Sequence, residues 1–518
     1  MSKSIYRISL FTLLLAYWLI SLSNITSVPR VYEDEPWQAS TGLKIAEQGI
    51  FGSDMFSGFY NMQDRYYGYV PLHPILLSII FRFAGDGLFQ SRFEPIALGL
   101  LLLALTFSLA RRVFTDDRIG LLSIIFLLLV RTSGLTPSQT SGILLIDFAR
   151  IARYDMLAAV FGLASLHAYQ WAYQRSTRRS YMLAGFLAAC ATLSHLYGVF
   201  WLIALFTLTV WNQSRTISRR STIGSMLIGF SVPLIPYAIY ILGDVADWRG
   251  QTLGYADRFE LLNVNWYVQN FLHEPQRYAP GLGSIGFNWL LHPGFWSALI
   301  VIPCAVAMLW RRSLSDRTLR ALVVPALGLP VLFALLIHLK LANYLLTIIP
   351  ILGIVFAWGV VSLWSWLRGR KWIAAQVVVS AVLVASVFEG IARIVVLEET
   401  AMSMTPYTAF IDRVRHFIPN GARVLGLHNY WFGLESFEYR SFALPFLLQQ
   451  SNNLSIDQGL EQIEPDVVLI DPRMRETFAI DAQAAEQFQV WLTRHAGQVI
   501  GRVDDPTYGL MEVYQVTR

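Results

Sequence analysis

Residues 8–40 read ISLFTLLLAYWLISLSNITSVPRVYEDEPWQAS. The first part is an apolar run of the length a membrane helix needs, about 20 residues for the hydrocarbon core. Shortly after it ends, Glu33, Asp34 and Glu35 stand side by side ahead of Pro36. Proline is favoured at the first helical position, and a carboxylate beside it suits a helix N-terminus. The stretch therefore predicts a span near 6–26, then a helix starting at Pro36 and closing at Gly49, with its acids at the membrane edge. Nothing around the apolar run resembles a small-x-small cleavage site, so it is expected to be a retained first helix rather than a signal peptide.

The same pattern continues through the chain. Of 518 residues, 55% are apolar and only 14% charged, with a mean hydropathy of +0.47. Soluble domains carry about 25% charged residues, so the expected class is an α-helical multi-span membrane protein in contact with the lipid bilayer. A soluble enzyme is excluded, and no nucleic-acid partner is expected. Cys190 and Cys304 both fall inside apolar runs and read as small packed hydrophobes rather than a disulfide.

Further spans are expected near 94–111, 119–134, 154–174, 181–195, 196–211, 222–242, 295–310, 320–337, 344–366 and 372–391, about 11 in all. The loops on one side are rich in cations: Arg111, Arg112 and Arg118; Arg175, Arg178 and Arg179; Arg215, Arg219 and Arg220; Arg311, Arg312, Arg317 and Arg320; Arg368, Arg370 and Lys371. The positive-inside rule makes that side the cytoplasm. Eleven spans then leave the N-terminus cytoplasmic and the C-terminus outside a plasma (inner) membrane. The stretch from Tyr181 to Trp211 is long for one span and short for two. Two short spans keep the Arg215 loop inside, with the turn LSHLYG and its His195 recessed below the outer surface.

The expected domains are a transmembrane domain over 1–396 and an extracytoplasmic α/β domain over 397–518. The first has outer loops at 27–93 and 243–294. PLHPILLSIIFRFAG (71–85) is too short to span and reads as a juxtamembrane interfacial helix. In the second domain, ARVLGLHNY, PDVVLID and YGLMEVYQV read as strands.

Ionisable residues at membrane depth are costly and point to function by default. On the outer side they gather: Asp34 and Glu35; Arg153 and Asp155 in ARYDMLAA; His195 and Tyr197; His273, Glu274, Arg277 and Tyr278 in FLHEPQRYAP; His338, Lys340 and Tyr344 in IHLKLANYLLTIIP. Each also has a plainer reading. Glu35 suits a helix cap, Arg153 and Asp155 a structural pair, His195 a hydrogen-bonded turn, and His273 with Glu274 an ordered loop. Together they suit an anionic lipid head group meeting a neutral nucleophile. The helix dipole favours a carboxylate that can accept a proton, while cations and imidazole stabilise a leaving phosphate.

The acidic YEDEP after the first span, the Pro-rich interfacial helix with FRFAGDGLFQSRFEPIALGLLLLALTFSLARRVF, RYDM, the histidine turn and KLANYLLTIIP occur in an order that resembles the GT-C membrane glycosyltransferases. The nearest branch is the protein O-mannosyltransferase and aminoarabinose transferase superfamily, glycosyltransferase families 39 and 83, over roughly residues 5–365. The resemblance implies inverting transfer of a sugar from a polyprenyl-phosphate donor to a hydroxyl of a lipid, glycan or protein acceptor on the outer face. It implies a general base at Asp34, with Glu35 adjacent, and a second acid at Asp155. Lys340, Tyr344 and Arg277 fall on positions near the lipid phosphate. His195 stands where some members have lysine, and Arg153, Tyr197 and His273 complete the expected binding set. Some members hold zinc; no ligand set is evident here, and no metal or other cofactor is expected. The alternatives are a polyprenyl-linked polysaccharide polymerase or ligase, which places its chemistry in a mid-chain loop, and a transporter or lipid flippase, which places charges near the midplane.

Overall fold

The computed structural model describes residues 3–131, 139–212, 217–256, 258–278 and 292–517. The far end of the predicted span 119–134, Arg215, and positions 257 and 279–291 of the second loop lie outside the described residues.

The chain opens with α1 (Lys3–Leu22), followed in the first loop by α2 (Asp34–Gln48) and α3 (Leu72–Ala84). Next come α4 (Leu88–Phe114), α5 (Asp117–Leu129), the short α6 (Leu144–Ala149), α7 (Asp155–Arg175), α8 (Arg178–Ser194), α9 (Val199–Trp211) and α10 (Arg219–Leu242). The second loop carries α11 (Val245–Ala256), α12 (Val264–Leu272) and α13 (Pro275–Tyr278). The bundle is completed by α14 (Pro293–Ser313), α15 (Arg317–Leu336), α16 (Ile349–Gly369) and α17 (Ile373–Ser403).

A helix lies on each of the eleven predicted segments. Among the described residues seven are long and apolar enough to cross a membrane: α1, α4, α10, α14, α15, α16 and the helix beginning at Ile373. The other four differ for physical reasons. α5 and α9 have 13 residues and α8 has 17, about 20–25 Å at 1.5 Å per residue. α7 is longer but less apolar, and it is buried along most of its length, as a core helix is. The contested stretch breaks at His195, which caps a short turn at Leu196–Gly198 between α8 and α9.

Local chemistry sets how the helices meet. Gly99 brings α4 so close to α1 that a Cβ there would lie 1.9 Å from the Tyr17 hydroxyl oxygen. That hydroxyl donates to the Ile96 carbonyl at 3.1 Å. α2 begins two residues before Pro36 and is ended by Gly49 in the left-handed region, φ 71°, where a Cβ is unfavourable. α3 packs Leu77 and Phe81 inward and leaves Ile75, Ile79 and Phe83 exposed in one stripe, the spacing of a helix lying on an apolar surface.

After α17 the chain forms a five-stranded sheet in the order β2-β1-β3-β5-β4. Its strands are β1 (Arg423–Gly426), β2 (Glu438–Ser441), β3 (Val467–Ile470), β4 (Gln498–Asp505) and β5 (Gly509–Gln515). β1 runs parallel to both β2 and β3, β5 is antiparallel to β3, and β4 is antiparallel to β5. The helices of this part are α18 (Tyr407–Arg415), α19 (Ala443–Asn452), α20 (Ile456–Ile463), α21 (Pro472–Ile480) and α22 (Ala482–Arg494). The predicted strands coincide with β1, β3 and β5. β2 and β4 are additional, and α17 runs seven residues past the expected boundary at 396.

One hydrophobic core joins the sheet part to the first loop. Val31, Ala39, Phe56, Tyr66 and Leu77 pack in the same cluster as Phe410, Leu425, Val468 and Phe488. Asn429 donates from Nδ2 to the Val31 carbonyl at 2.7 Å, and the Tyr407 amide donates to the Thr26 carbonyl at 3.2 Å. The sheet part thus seats the segment that delivers Asp34.

Candidate active site

The site begins where two helices begin. Asp34 is the first residue of α2 and Asp155 the first of α7, so both carboxylates stand at helix N-termini, where the macrodipole favours negative charge. Arg153 spans the gap between them. Its Nη1 pairs with Asp34 Oδ2, its Nε donates to Asp155 Oδ2 at 2.8 Å, and its Nη2 donates to the Tyr154 hydroxyl at 3.1 Å. Asn343 Nδ2 donates to the other oxygen of Asp155 at 3.1 Å. The Tyr69 hydroxyl donates to Asp34 Oδ1 at 2.8 Å. Burial, then the charge of Asp34, raises the Tyr69 phenol well above its ordinary range, so it remains a donor.

The neighbouring acids have opposite surroundings. Glu35 is 0% exposed. Its Oε1 accepts from Arg92 Nε at 2.8 Å and the Ala152 amide at 2.9 Å, and its Oε2 from Arg92 Nη2 at 2.8 Å and the Tyr32 amide at 2.7 Å. Those four bonds fill the acceptor capacity of a carboxylate. Arg92 also donates to the Ile25 and Pro29 carbonyls, which clamps the chain between α1 and α2. Glu35, expected from sequence as a catalytic group, thus has both oxygens occupied within the framework that joins α2, α4 and the segment before α7. The Asp34 side chain is 22% exposed and carries one partner on each oxygen, which leaves acceptor capacity for an incoming hydroxyl.

An aromatic wall runs from this pair to the link before α16. His195 lies 4.8 Å from the Tyr154 ring, 4.2 Å from Tyr197 and 5.4 Å from Tyr344, centroid to centroid. Its Nδ1 accepts from the Tyr197 amide at 3.1 Å. A ring that accepts at Nδ1 carries its proton on Nε2, so His195 presents a neutral N–H donor where a lysine would present a charge.

Beyond Tyr344 the expected cations are already matched. Arg277 is fully buried, with Nε and Nη2 donating to Glu274 at 2.9 and 3.2 Å. Nη1 reaches the Leu339 and Leu341 carbonyls, and the guanidinium lies over the Tyr344 ring at 5.7 Å. Lys340 Nζ donates to the same Glu274 at 2.9 Å and to the Ala334 carbonyl at 3.1 Å. Arg277 and Lys340 thus share one carboxylate, and neither is the free phosphate ligand expected from sequence. His273 ends α12 on an exposed surface, and no described side-chain bond joins it to the set.

A different cation is open. Arg258, in the second loop, is exposed, and among the described residues no carboxylate pairs with it. Its guanidinium lies over the Tyr255 ring at 4.7 Å. Tyr255 lies near Tyr69 and within electrostatic reach of Asp34; burial first and that charge second raise its phenol. Sequence reasoning missed Tyr69, Tyr154, Asn343, Tyr255 and Arg258. The available signal was a lone cation beside a tyrosine in GYADRFE. The two carboxylates of the site are bridged by a guanidinium, and no described group of three His, Cys, Asp or Glu residues is placed to hold an ion.

No protein-family model matches the sequence, and no curated protein matches it. Solved structures do match, over nearly the whole chain. ArnT from Cupriavidus metallidurans, bound to undecaprenyl phosphate, superposes with a TM-score of 0.61 at 14% identity, over 99% of this chain and 99% of that one. The fold is that of the GT-C glycosyltransferases. The Archaeoglobus fulgidus oligosaccharyltransferase tethered with an acceptor peptide gives a TM-score of 0.55 at 13% identity, over 97% of this chain and 74% of that one. AglB from the same organism, in complex with an inhibitory peptide and a dolichol-phosphate, gives 0.55 at 14% identity over the same shares. In this chain the GT-C fold brings the starts of α2 and α7, the His195 turn and the link before α16 to one end of the helical bundle.

Proposed function

We propose that this protein is an inverting glycosyltransferase of the GT-C type, which moves a sugar from a polyprenyl-phosphate donor to an acceptor hydroxyl on the outer face of the plasma membrane. The observation that carries the reading is the partly open Asp34, held at a helix N-terminus by Arg153 and Tyr69, with Tyr255 close to it and Arg258 over the Tyr255 ring, unpaired among the described residues. The fold is shared with ArnT bound to undecaprenyl phosphate and with AglB in complex with a dolichol-phosphate, which supports a lipid-phosphate donor.

In the proposed reaction the acceptor oxygen attacks the anomeric carbon as Asp34 takes its proton. The bond from the anomeric carbon to the phosphate oxygen breaks on the opposite face, and polyprenyl phosphate leaves with the electron pair. One displacement inverts the anomeric centre. Arg258 and the His195 Nε2–H meet the negative charge that grows on the leaving phosphate. Arg153 fixes Asp34 and Asp155 relative to one another, and the Glu274 cluster fixes the Tyr344 wall. The cation-rich loops support a cytoplasmic N-terminus. In this reading of eleven spans, four of them short or polar, the sheet domain lies outside.

The test is a panel of radiolabelled polyprenyl-phosphate sugars offered to the full chain in lipid nanodiscs. Release of polyprenyl phosphate from one of them is expected, with the opposite anomeric configuration in the product. Specific binding of a donor with its transport but no cleavage would favour a transporter instead.

A further inference from the structure

A second recess, of about 400 Å³, lies between the sheet domain and the segment leading into α2. It falls within the ~300–1,000 Å³ range of small-ligand pockets. Its position follows from topology. From β1 the chain passes to β2 on one side and later to β3 on the other, all three parallel. In open α/β sheets, ligands bind beyond the carboxyl ends of the strands at the point where the order reverses. Asn429 and Tyr430, just after β1, and Asp471, just after β3, line the recess at that point.

The lining is polar, with Arg30 and Arg473, Asp471, and Glu476, which is exposed. α21 starts at Pro472 and directs its N-terminus into the recess, an end that attracts negative charge. Its cap, Asp471, is spent internally, accepting from the Met474 amide at 2.9 Å and the Tyr430 hydroxyl at 2.8 Å. Two exposed arginines stand at the mouth. Arg473 lies 3.8 Å from Glu33, and Arg30 lies over the Tyr508 ring at 5.7 Å. Tyr508 lines the same recess and is only 8% exposed, yet its buried hydroxyl has no partner among the described residues.

We infer that this recess binds an acidic saccharide, the non-reacting part of a glycan acceptor, and holds its free hydroxyl toward Asp34. The inference rests on the glycosyltransferase reading above. Val31, in the wall of the recess, is three residues from Asp34, a reach of at most ~11 Å along extended chain, which one or two sugar rings bridge. An extended peptide is disfavoured, because peptides are commonly held by a free strand edge. The edge strands here are β2 and β4, whereas the recess opens over the ends of the interior strands β1 and β3.

The test measures binding to the full chain in nanodiscs, without donor, using tetragalacturonate, neutral maltotetraose and a tetra-aspartate peptide in saturation-transfer NMR and calorimetry. Tetragalacturonate is expected to bind, with affinity falling about tenfold or more in Arg473→Gln and in Arg30→Gln. Arg30 is an exposed loop side chain, so its variant tests the site even if Arg473→Gln misfolds. Unchanged affinity in both variants, no tetragalacturonate binding, equal binding of maltotetraose, or equal binding of the peptide would each overturn the assignment. Wild-type turnover of a donor with no saccharide binding defeats this inference alone. Saccharide binding without turnover of any donor defeats the glycosyltransferase reading instead.

Discussion

Asp34 and Glu35 are adjacent in sequence and equal in chemistry, and the fold gives them opposite surroundings. Glu35 is closed by four hydrogen bonds, while Asp34 keeps an open side and two partners. Sequence located both, because a carboxylate at a helix start after a membrane span is a local signal. It did not separate them, because Arg92, Ala152 and Arg153 arrive from 57, 117 and 119 residues away. The same distance effect hid the state of the expected cation: Lys340 is paired with Glu274, 66 residues earlier, whereas Arg258 has no carboxylate partner among the described residues. Arg258→Ala is expected to raise the donor KM about 10- to 100-fold, the worth of a charge-assisted hydrogen bond of about 1.5–3 kcal/mol, while Arg258→Lys recovers part of the loss. Steady-state kinetics at varied donor concentration checks this. Arg153→Lys, which cannot make the forked contact to both acids, is expected to lower kcat more than it raises donor KM, read from the same kinetics.

At the scale of elements, the buried Glu35–Arg92 pair joins α2 to α4 and to the chain between α1 and α2. Removing one partner from a buried ion pair leaves an uncompensated charge and costs about 3–5 kcal/mol. Arg92→Met is therefore expected to lower the thermal unfolding midpoint strongly, whereas an Asp34→Asn variant retains it; thermal unfolding monitored by size-exclusion chromatography compares them. The helices were legible because apolar runs and arginine-rich loops are written continuously along the chain. α8 and α9 were legible as a pair only through the charge of the following loop. β2 and β4 were not: β2 reads EYRS, without the apolar run of the equally short β1 and β3, and β4 is interrupted at Gly501 by a bulge.

At the scale of the whole molecule, the sheet domain and the first loop share a core, so their docking is part of the stability of the site. His428 sits in that contact, its ring 5.9 Å from Trp37 of α2. Burial, with Arg473 nearby, pushes its imidazole down to about 4, against about 6.5 when unfolded. Between those values the unfolded chain binds a proton that the folded chain does not. The stability is therefore whole above about pH 6.5 and declines as pH falls toward 4, by up to ~3 kcal/mol. His428→Gln is expected to flatten that decline, which thermal unfolding between about pH 7 and about pH 4.5 measures directly. The shared core was invisible in sequence, since it unites residues near 30–90 with residues beyond 400.

In the proposed reaction Asp34 accepts the acceptor's proton in a displacement at a lipid-linked sugar. The most direct measurement is turnover of the cleaved donor by wild type and Asp34→Asn in nanodiscs, with donor binding recorded on the same samples. Asp34→Asn is expected to bind donor and to release no polyprenyl phosphate above background. Release at the wild-type rate by Asp34→Asn would contradict that role.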